Sequence, residues 1–188
     1  MTDWIAVYAA IIGTIGFFLT IYFAYTPNKL ELSLDDNPQN NYGDAVIQNQ
    51  SNTPSGRFFH IIVQNNHKRK TAKNSKPYLI SLKAAGKENE LSGSELQLKW
   101  RGYPINIPFI DIPPSESRKF DAFFVLHNVP NAIQMQAFID STALLPRVQD
   151  SGKYRARYRI TADGFRTKEG EFVITLSNQL SGVKIEQL

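Results

Sequence analysis

Residues 57–65 read RFFHIIVQN, the strongest strand pattern in this 188-residue chain. Aromatic and β-branched side chains fall on both faces of the segment, which is typical of a strand that is buried on both sides. Turn-forming residues flank it, with Gly56 before it and Asn66 after it. We therefore expect this segment to form a central strand of a β-sheet.

Further predicted strands lie on both sides of this segment, and several of them alternate apolar and polar residues. They include residues 30–34, 78–82, 96–100, 120–126, 133–139, 154–162 and 171–176. Trp100 is a predicted core aromatic, and Asp163-Gly164 predicts a hairpin turn. About eight to ten short strands, with no helix-length amphipathic pattern among them, predict an all-β domain. For residues 28–188 we expect an antiparallel immunoglobulin-like sandwich, with a closed β-barrel as the alternative.

The N-terminal segment, residues 4–25, is WIAVYAAIIGTIGFFLTIYFAY and carries no charge. A helix of this length reaches roughly 33 Å, and the hydrocarbon core of a bilayer is about 30 Å thick. A cleaved signal peptide would need a basic N-terminus and a shorter apolar run, and this chain has neither. Pro27 should end the helix near Tyr25. Residues 1–27 are therefore predicted to form an uncleaved, single-pass transmembrane anchor.

Small residues on this segment predict that two such helices associate. Ala9 and Gly13, and then Gly16 and Thr20, follow four-residue spacing, which lets helices approach closely in a membrane. For orientation, Lys29 follows the apolar segment, and no Lys or Arg precedes it. This bias favours a cytoplasmic β domain. The opposite orientation would instead fit a cell-surface adhesion module.

The composition excludes several classes of site. The chain has no cysteine, so thiol nucleophiles, zinc-thiolate sites and iron–sulfur clusters are excluded. Its three histidines, His60, His67 and His127, have no acid at metal-ligand spacing, and the phosphate-binding glycine motifs are absent. We therefore expect no catalytic residue, no metal and no cofactor, with His60 packed in a strand. The net charge of +4 is too small to predict nucleic-acid binding.

A row of arginines is the one candidate binding site. In residues 154–160, period-two geometry places Arg155, Arg157 and Arg159 on one face and apolar residues on the other. Three guanidinium groups in a row can bind an anionic small ligand. The alternative is that they lie on a solvated face and pair with acids of the next strand, such as Glu169 or Glu171.

The segments Arg57–Asn65, Thr71–Asn74, Leu98–Trp100 and Ile112–Pro114 resemble a group of prokaryotic membrane-anchored β-sandwich proteins without an assigned activity. The resemblance implies a fold and a microbial origin. In layout, the chain is also similar to anti-phage effectors that join membrane segments to a β-barrel sensing cyclic nucleotides, although those have two spans. We therefore expect a membrane-anchored, non-enzymatic binding or scaffold module that contacts lipid and a protein partner. A membrane effector that senses an anionic ligand is the alternative.

Overall fold

The computed structural model describes residues 2–25, 29–46, 55–86, 95–104, 106–135 and 150–188. In the N-terminal helix, the side chains described are those of Trp4 and of residues 7–18. The helix, α1, spans Thr2–Tyr25. Within the described part of the chain, we find no helix whose length and hydropathy would let it span a bilayer. The helical part of the prediction for residues 1–27 is therefore confirmed, and the transmembrane part stays a prediction.

The rest of the described chain is built from short antiparallel strands. They are β1 (Leu30–Ser33), β2 (Tyr42–Val46), β3 (Ser55–Asn65), β4 (Ala72–Ala84), β5 (Leu96–Gln97), β6 (Ile110–Ile112), β7 (Ser117–Leu126), β8 (Val129–Gln134), β9 (Gly152–Asp163), β10 (Lys168–Leu176) and β11 (Lys184–Gln187). Two 3₁₀ turns, Pro38–Asn41 and Leu180–Gly182, separate β1 from β2 and β10 from β11. The predicted all-β class is confirmed. The end of the predicted strand 133–139 lies outside the described residues.

These strands form two sheets. In the first sheet, β3 pairs with β1 and β2 on one side and with β7 on the other, and β8 follows β7. In the second sheet the order is β11-β10-β9-β4-β5, with β6 also paired to β4. The RFFHIIVQN segment is therefore a central strand, as predicted. The predicted Asp-Gly hairpin joins β9 to β10, and Gly164 has the positive φ of 69° that favours glycine in such a turn.

The core lies between the inward faces of the two sheets. Phe59 of β3 stacks on Phe123 of β7 with ring centroids 4.5 Å apart. A second group of fully buried rings runs from one sheet to the other, with centroid separations between 5.7 and 6.2 Å, through Trp100, Phe120, Tyr158 and Phe172. The indole Nε1 of Trp100 donates to the carbonyl oxygen of Ser75 at 3.1 Å. Trp100 is thus the core aromatic that the sequence predicts.

One segment, residues 96–101, is bonded to both sheets. The amide of Leu98 donates to the carbonyl of Pro77 on β4, in the second sheet. Farther along, the amide of Arg101 donates to the carbonyl of Lys119 on β7, in the first sheet. The two sheets are therefore stacked like a sandwich and joined along one edge, as in a barrel. The immunoglobulin-like class stays a prediction.

Candidate anion-binding groove

Strand β9 fixes the orientation of the three arginines. Its residues Tyr154, Ala156, Tyr158 and Ile160 are buried in the core. Because side chains alternate along a strand, Arg155, Arg157 and Arg159 lie on the outer face of the second sheet. The predicted row therefore exists. The three guanidinium groups have different surroundings, however, and these decide what each can bind.

Arg159 is held in a charge cluster. Its Nε donates to Glu169 of β10 at 2.7 Å, and its Nη1 donates to Glu95, which precedes β5. The hydrogen bond with Glu169 raises the pKa of Arg159, so its cationic form is strongly favoured. Two carboxylates around one guanidinium leave no excess positive charge at this end of the row. Here the cross-strand pairing with Glu169 that the sequence offered as an alternative is present.

Arg157 occupies the middle of the row. Its Nε lies 3.8 Å from the carboxylate of Glu169, too far for a hydrogen bond. That Nε is buried and has no hydrogen-bond partner among the described residues. Its Cα partner on β10 is Glu171, the other acid that the sequence considered. Arg157 thus stands close to acidic groups without a well-formed ion pair.

Arg155 lies in a groove at the far end of the row. In register with it are Lys83 on β4 and Val173 on β10, and Lys153 is two positions earlier on the same face of β9. The groove has a volume of about 600 Å³, within the usual range for small-molecule sites. Its lining also includes Tyr154 and Glu186. Among the described residues, Arg155 forms no ion pair with an acid.

Positive charge exceeds negative charge in this groove. Of the described residues that line it, three are cations, Lys83, Lys153 and Arg155, and one is an acid, Glu186. Lys184 donates to that carboxylate at 2.7 Å, and this hydrogen bond lowers the pKa of Glu186, so the carboxylate is ionised and already has a cationic partner. An anion with several oxygens, such as a phosphate ester, matches this arrangement because Arg155 can donate two parallel hydrogen bonds.

Neither lysine of the groove was among the binding residues predicted from the sequence. Lys153 shares the period-two pattern of the arginines, and extending that pattern by one step identifies it. Lys83 is 72 residues from Arg155 in the chain and is brought beside it only by the pairing of β4 with β9. No pattern within one segment predicts that register.

His60 and Asp121 form a buried pair that the sequence analysis also missed. His60 Nδ1 lies 2.9 Å from Asp121 Oδ1, and the side chain of His60 is 2% exposed. Burial lowers the pKa of His60, and Asp121 opposes this shift only in part. Its Nε2 is buried and has no hydrogen-bond partner in the described part of the chain. The prediction that His60 is packed in a strand is confirmed, and the enclosed imidazole is out of reach of a substrate.

The remaining predicted positions lie on α1. Ala9, Gly13 and Gly16 are exposed on the helix surface. Thr20 belongs to the same helix, and its side chain lies outside the described residues. Over the described ranges, no group of three or more His, Cys, Asp or Glu side chains is arranged to hold a metal ion.

Comparisons with known proteins give no match, so the inference of function rests on the geometry described above. Neither protein-family models nor curated proteins match the sequence, and no solved structure matches the fold.

Proposed function

We propose that this chain is a membrane-anchored, immunoglobulin-like β domain that acts as a non-enzymatic binding or scaffold module on the cytoplasmic side. The observation that supports it most is the surface of α1. Eight large apolar side chains on this helix are at least half exposed: Trp4, Val7, Tyr8, Ile11, Ile12, Ile15, Phe17 and Phe18. Among the described residues, the hydrophobic core of the β domain contains none from α1.

The distribution of these side chains favours lipid as their cover. At about 100° per residue, the eight positions cover an arc of about 220° around the helix axis. A partner protein contacting one face would leave much of this arc in water, whereas hydrocarbon covers every side. Burying each large apolar side chain stabilises by about 1.5–3 kcal/mol.

The anchor is tested by extracting membranes that contain the full chain with alkaline carbonate. We expect the protein to remain in the membrane pellet and the variant Ile12→Arg/Ile15→Arg to be released, because two charges in mid-helix oppose insertion. The control Asn128→Arg/Val129→Arg adds the same charge at two exposed positions, the second residue of the β7–β8 turn and the first of β8, and should stay in the pellet. Wild-type protein in the supernatant would contradict the anchor. A reporter fused after Leu188 separates the cytoplasmic orientation from the adhesion-module alternative.

A second candidate function is a membrane effector that senses an anionic ligand, and the groove around Arg155 favours it. The excess of cations over acids in a concave site of about 600 Å³ is the specific observation. In this proposal the ligand is a nucleotide or another phosphate-bearing molecule. Its binding would drive α1 helices to associate through Ala9, Gly13, Gly16 and Thr20.

Titration calorimetry with pyrophosphate and with cyclic dinucleotides tests this second function. Arg155→Gln should weaken binding about tenfold, since a charged hydrogen bond contributes about 1.5–3 kcal/mol. Arg159→Gln is the matched control, because it removes the same charge from the same row at a position already paired with two acids. It should change the affinity less than about twofold. Equal effects of both variants, or no binding heat with any probe, would contradict the sensing function.

A further inference from the structure

The fold brings distant basic residues together at one end of the β domain. Lys29, just before β1, forms a bridge with Arg166 in the β9–β10 hairpin. Leu30 pairs with Asn65 at the end of β3, so the basic loop of residues 66–70 starts beside the same point. Lys70 Nζ donates to the carbonyl of Gly164 in the hairpin at 3.0 Å. We call Lys29, Lys68, Arg69, Lys70 and Arg166 the basic end.

The charges of the basic end face solvent. All five side chains are exposed. None of the five forms an ion pair among the residues that the structure describes, and Lys70 contacts the carbonyl of Gly164 and the ring of Phe165. Two acids lie nearby, Glu31 and Asp163, and each accepts from a neutral amide at 2.6 Å, Asn66 Nδ2 and Asn74 Nδ2 respectively. By formal charge these two acids offset two of the five cations. The surface therefore carries a net positive charge.

A buried asparagine fixes the loop that carries three of these cations. Asn65 is fully buried, and its side-chain amide donates to the carbonyls of Lys70, Ile112 and Pro113 at 2.9–3.1 Å. Its Oδ1 accepts from the amide of His67, whose Nδ1 in turn accepts from the amides of Arg69 and Lys70. These hydrogen bonds therefore hold the loop of residues 66–70, with its three basic side chains, in a defined conformation.

The basic end lies close to α1 whatever the direction of the connecting residues. The helix ends at Tyr25, and Lys29 is four residues later. A fully extended chain spans at most about 3.6 Å per residue, so the two Cα atoms are no more than about 14 Å apart. An anchored helix therefore holds the basic end within the depth of the headgroup layer or close to it.

We propose that the basic end binds the anionic phospholipid headgroups of the membrane that holds α1. This inference rests on the proposed anchor. It adds a second contact with the bilayer, one that orients the β domain and requires negatively charged lipid. The chemistry is that of Lys and Arg side chains near an anionic leaflet, a contact that salt screens.

The test measures the distance of the β domain from the bilayer in nanodiscs. Since the chain has no cysteine, Thr167→Cys in the β9–β10 hairpin gives one labelling site for energy transfer to an acceptor in the lipid surface. Nanodiscs are made of phosphatidylcholine alone or with about one third phosphatidylglycerol. We expect clearly higher transfer with phosphatidylglycerol, and loss of this difference in about 1 M salt.

Two charge-matched variants complete the test. Lys68→Glu/Arg69→Glu/Arg166→Glu should abolish the dependence on phosphatidylglycerol. Lys83→Glu/Lys153→Glu/Arg155→Glu reverses as many charges about 26–33 Å from the hairpin end of β9 and should retain it. Equal transfer in both lipids, or the same loss in both variants, would overturn the headgroup contact. A chain that fails to enter nanodiscs of either composition instead overturns the anchor, and the inference with it.

Discussion

His60 and Asp121 form a buried ionisable pair, whereas most charged side chains of the described β domain lie on its surface. Burial lowers the pKa of His60, and the positive charges of Arg101 and Lys119 add to this shift. A Cβ added at Gly43 would lie 3.0 Å from Arg101 Nη2, a tight contact, and 3.6 Å from His60 Nε2, an ordinary one, so the glycine leaves room for the guanidinium group of Arg101 beside the ring. His60 is therefore neutral in the folded protein near neutral pH and donates to Asp121 from Nδ1.

The lowered pKa of His60 gives the fold a dependence on pH. In the unfolded chain the pKa is about 6.5, so below this pH the unfolded state binds a proton that the folded state does not. The contribution of His60 to the free energy of unfolding is fully present above pH 6.5. It should decrease as the pH falls below 6.5, by at most about 1.4 kcal/mol per pH unit. Urea unfolding between pH 7.5 and pH 5 measures this slope.

His60→Asn is the variant that isolates this effect, because its amide nitrogen stands close to the place of Nδ1. It should flatten the slope below pH 6.5 relative to wild type. His127→Asn changes an exposed histidine and serves as the control, with the slope kept. If both variants keep the wild-type slope, His60 is not the titrating group.

Asn65 supports a second prediction at this scale. Asn65→Asp has nearly the same shape, but it replaces the donor to the carbonyls of Lys70, Ile112 and Pro113 with a carboxylate oxygen. We expect a loss of about 3 kcal/mol or more in the free energy of unfolding at pH 7, since buried acceptors lose their donor and face a negative charge. Asn128→Asp, in an exposed turn, should cost less than about 0.5 kcal/mol. Similar chemical-denaturation midpoints for the two variants would contradict this role.

At the scale of single elements, local patterns in the sequence predict which segments form strands and which face each side chain occupies. The alternation along β9 predicts the outer arginine row, and the aromatic, β-branched composition predicts β3. The pairing of Arg159 with Glu169 was among the alternatives drawn from the sequence. The positions of Glu95 and Lys83 beside the row were not predictable, because both depend on how other strands pair. An element's own sequence determines which face a side chain occupies, and the neighbouring strands determine its charge environment.

In the helix α1 too, the spacing of residues in the sequence predicts which of them share a face. Positions 9, 13, 16 and 20 fall within an arc of about 60°, opposite the middle of the arc that carries the large apolar side chains. The small-residue face predicted from four-residue spacing is therefore continuous along the helix.

We expect Gly13→Leu/Gly16→Leu to weaken self-association of the full chain in detergent about tenfold, equivalent to about 1.4 kcal/mol, because larger side chains keep the helices apart. Sedimentation equilibrium measures the dissociation constant. Ile11→Leu/Ile15→Leu changes the opposite side of the helix at constant volume and should leave it unchanged. A wild-type chain that is monomeric at every concentration would refute association through this face.

At the scale of the whole molecule, the alternation of apolar and polar residues predicts two packed sheets, but it does not predict the order in which the strands pair. Period-two segments predict an all-β domain with a core between sheets. They do not predict that β1 and β2 share one side of β3, or that residues 96–101 bond to both sheets. These arrangements depend on contacts between residues far apart in the chain, which no local signal encodes.

The division of the chain into α1 and a β domain makes a further prediction. Deleting residues 1–28 should leave a cooperative unfolding transition with a Tm within about 3 °C of the full chain, because the described core contains no residue of α1. Circular dichroism on heating measures it, with the full chain in detergent as the reference. Loss of the cooperative transition would show that the β domain needs the helix.

The two tryptophans of the chain lie in different surroundings, so their fluorescence reports on two different events. Trp4 is 82% exposed on α1, whereas Trp100 is completely enclosed where residues 96–101 join the sheets. Emission from Trp100 should shift to the red only when the sheets separate, and emission from Trp4 should shift to the blue when the helix enters hydrocarbon. Spectra of the unlabelled protein can thus distinguish unfolding from membrane insertion, provided that single Trp→Phe variants assign each band.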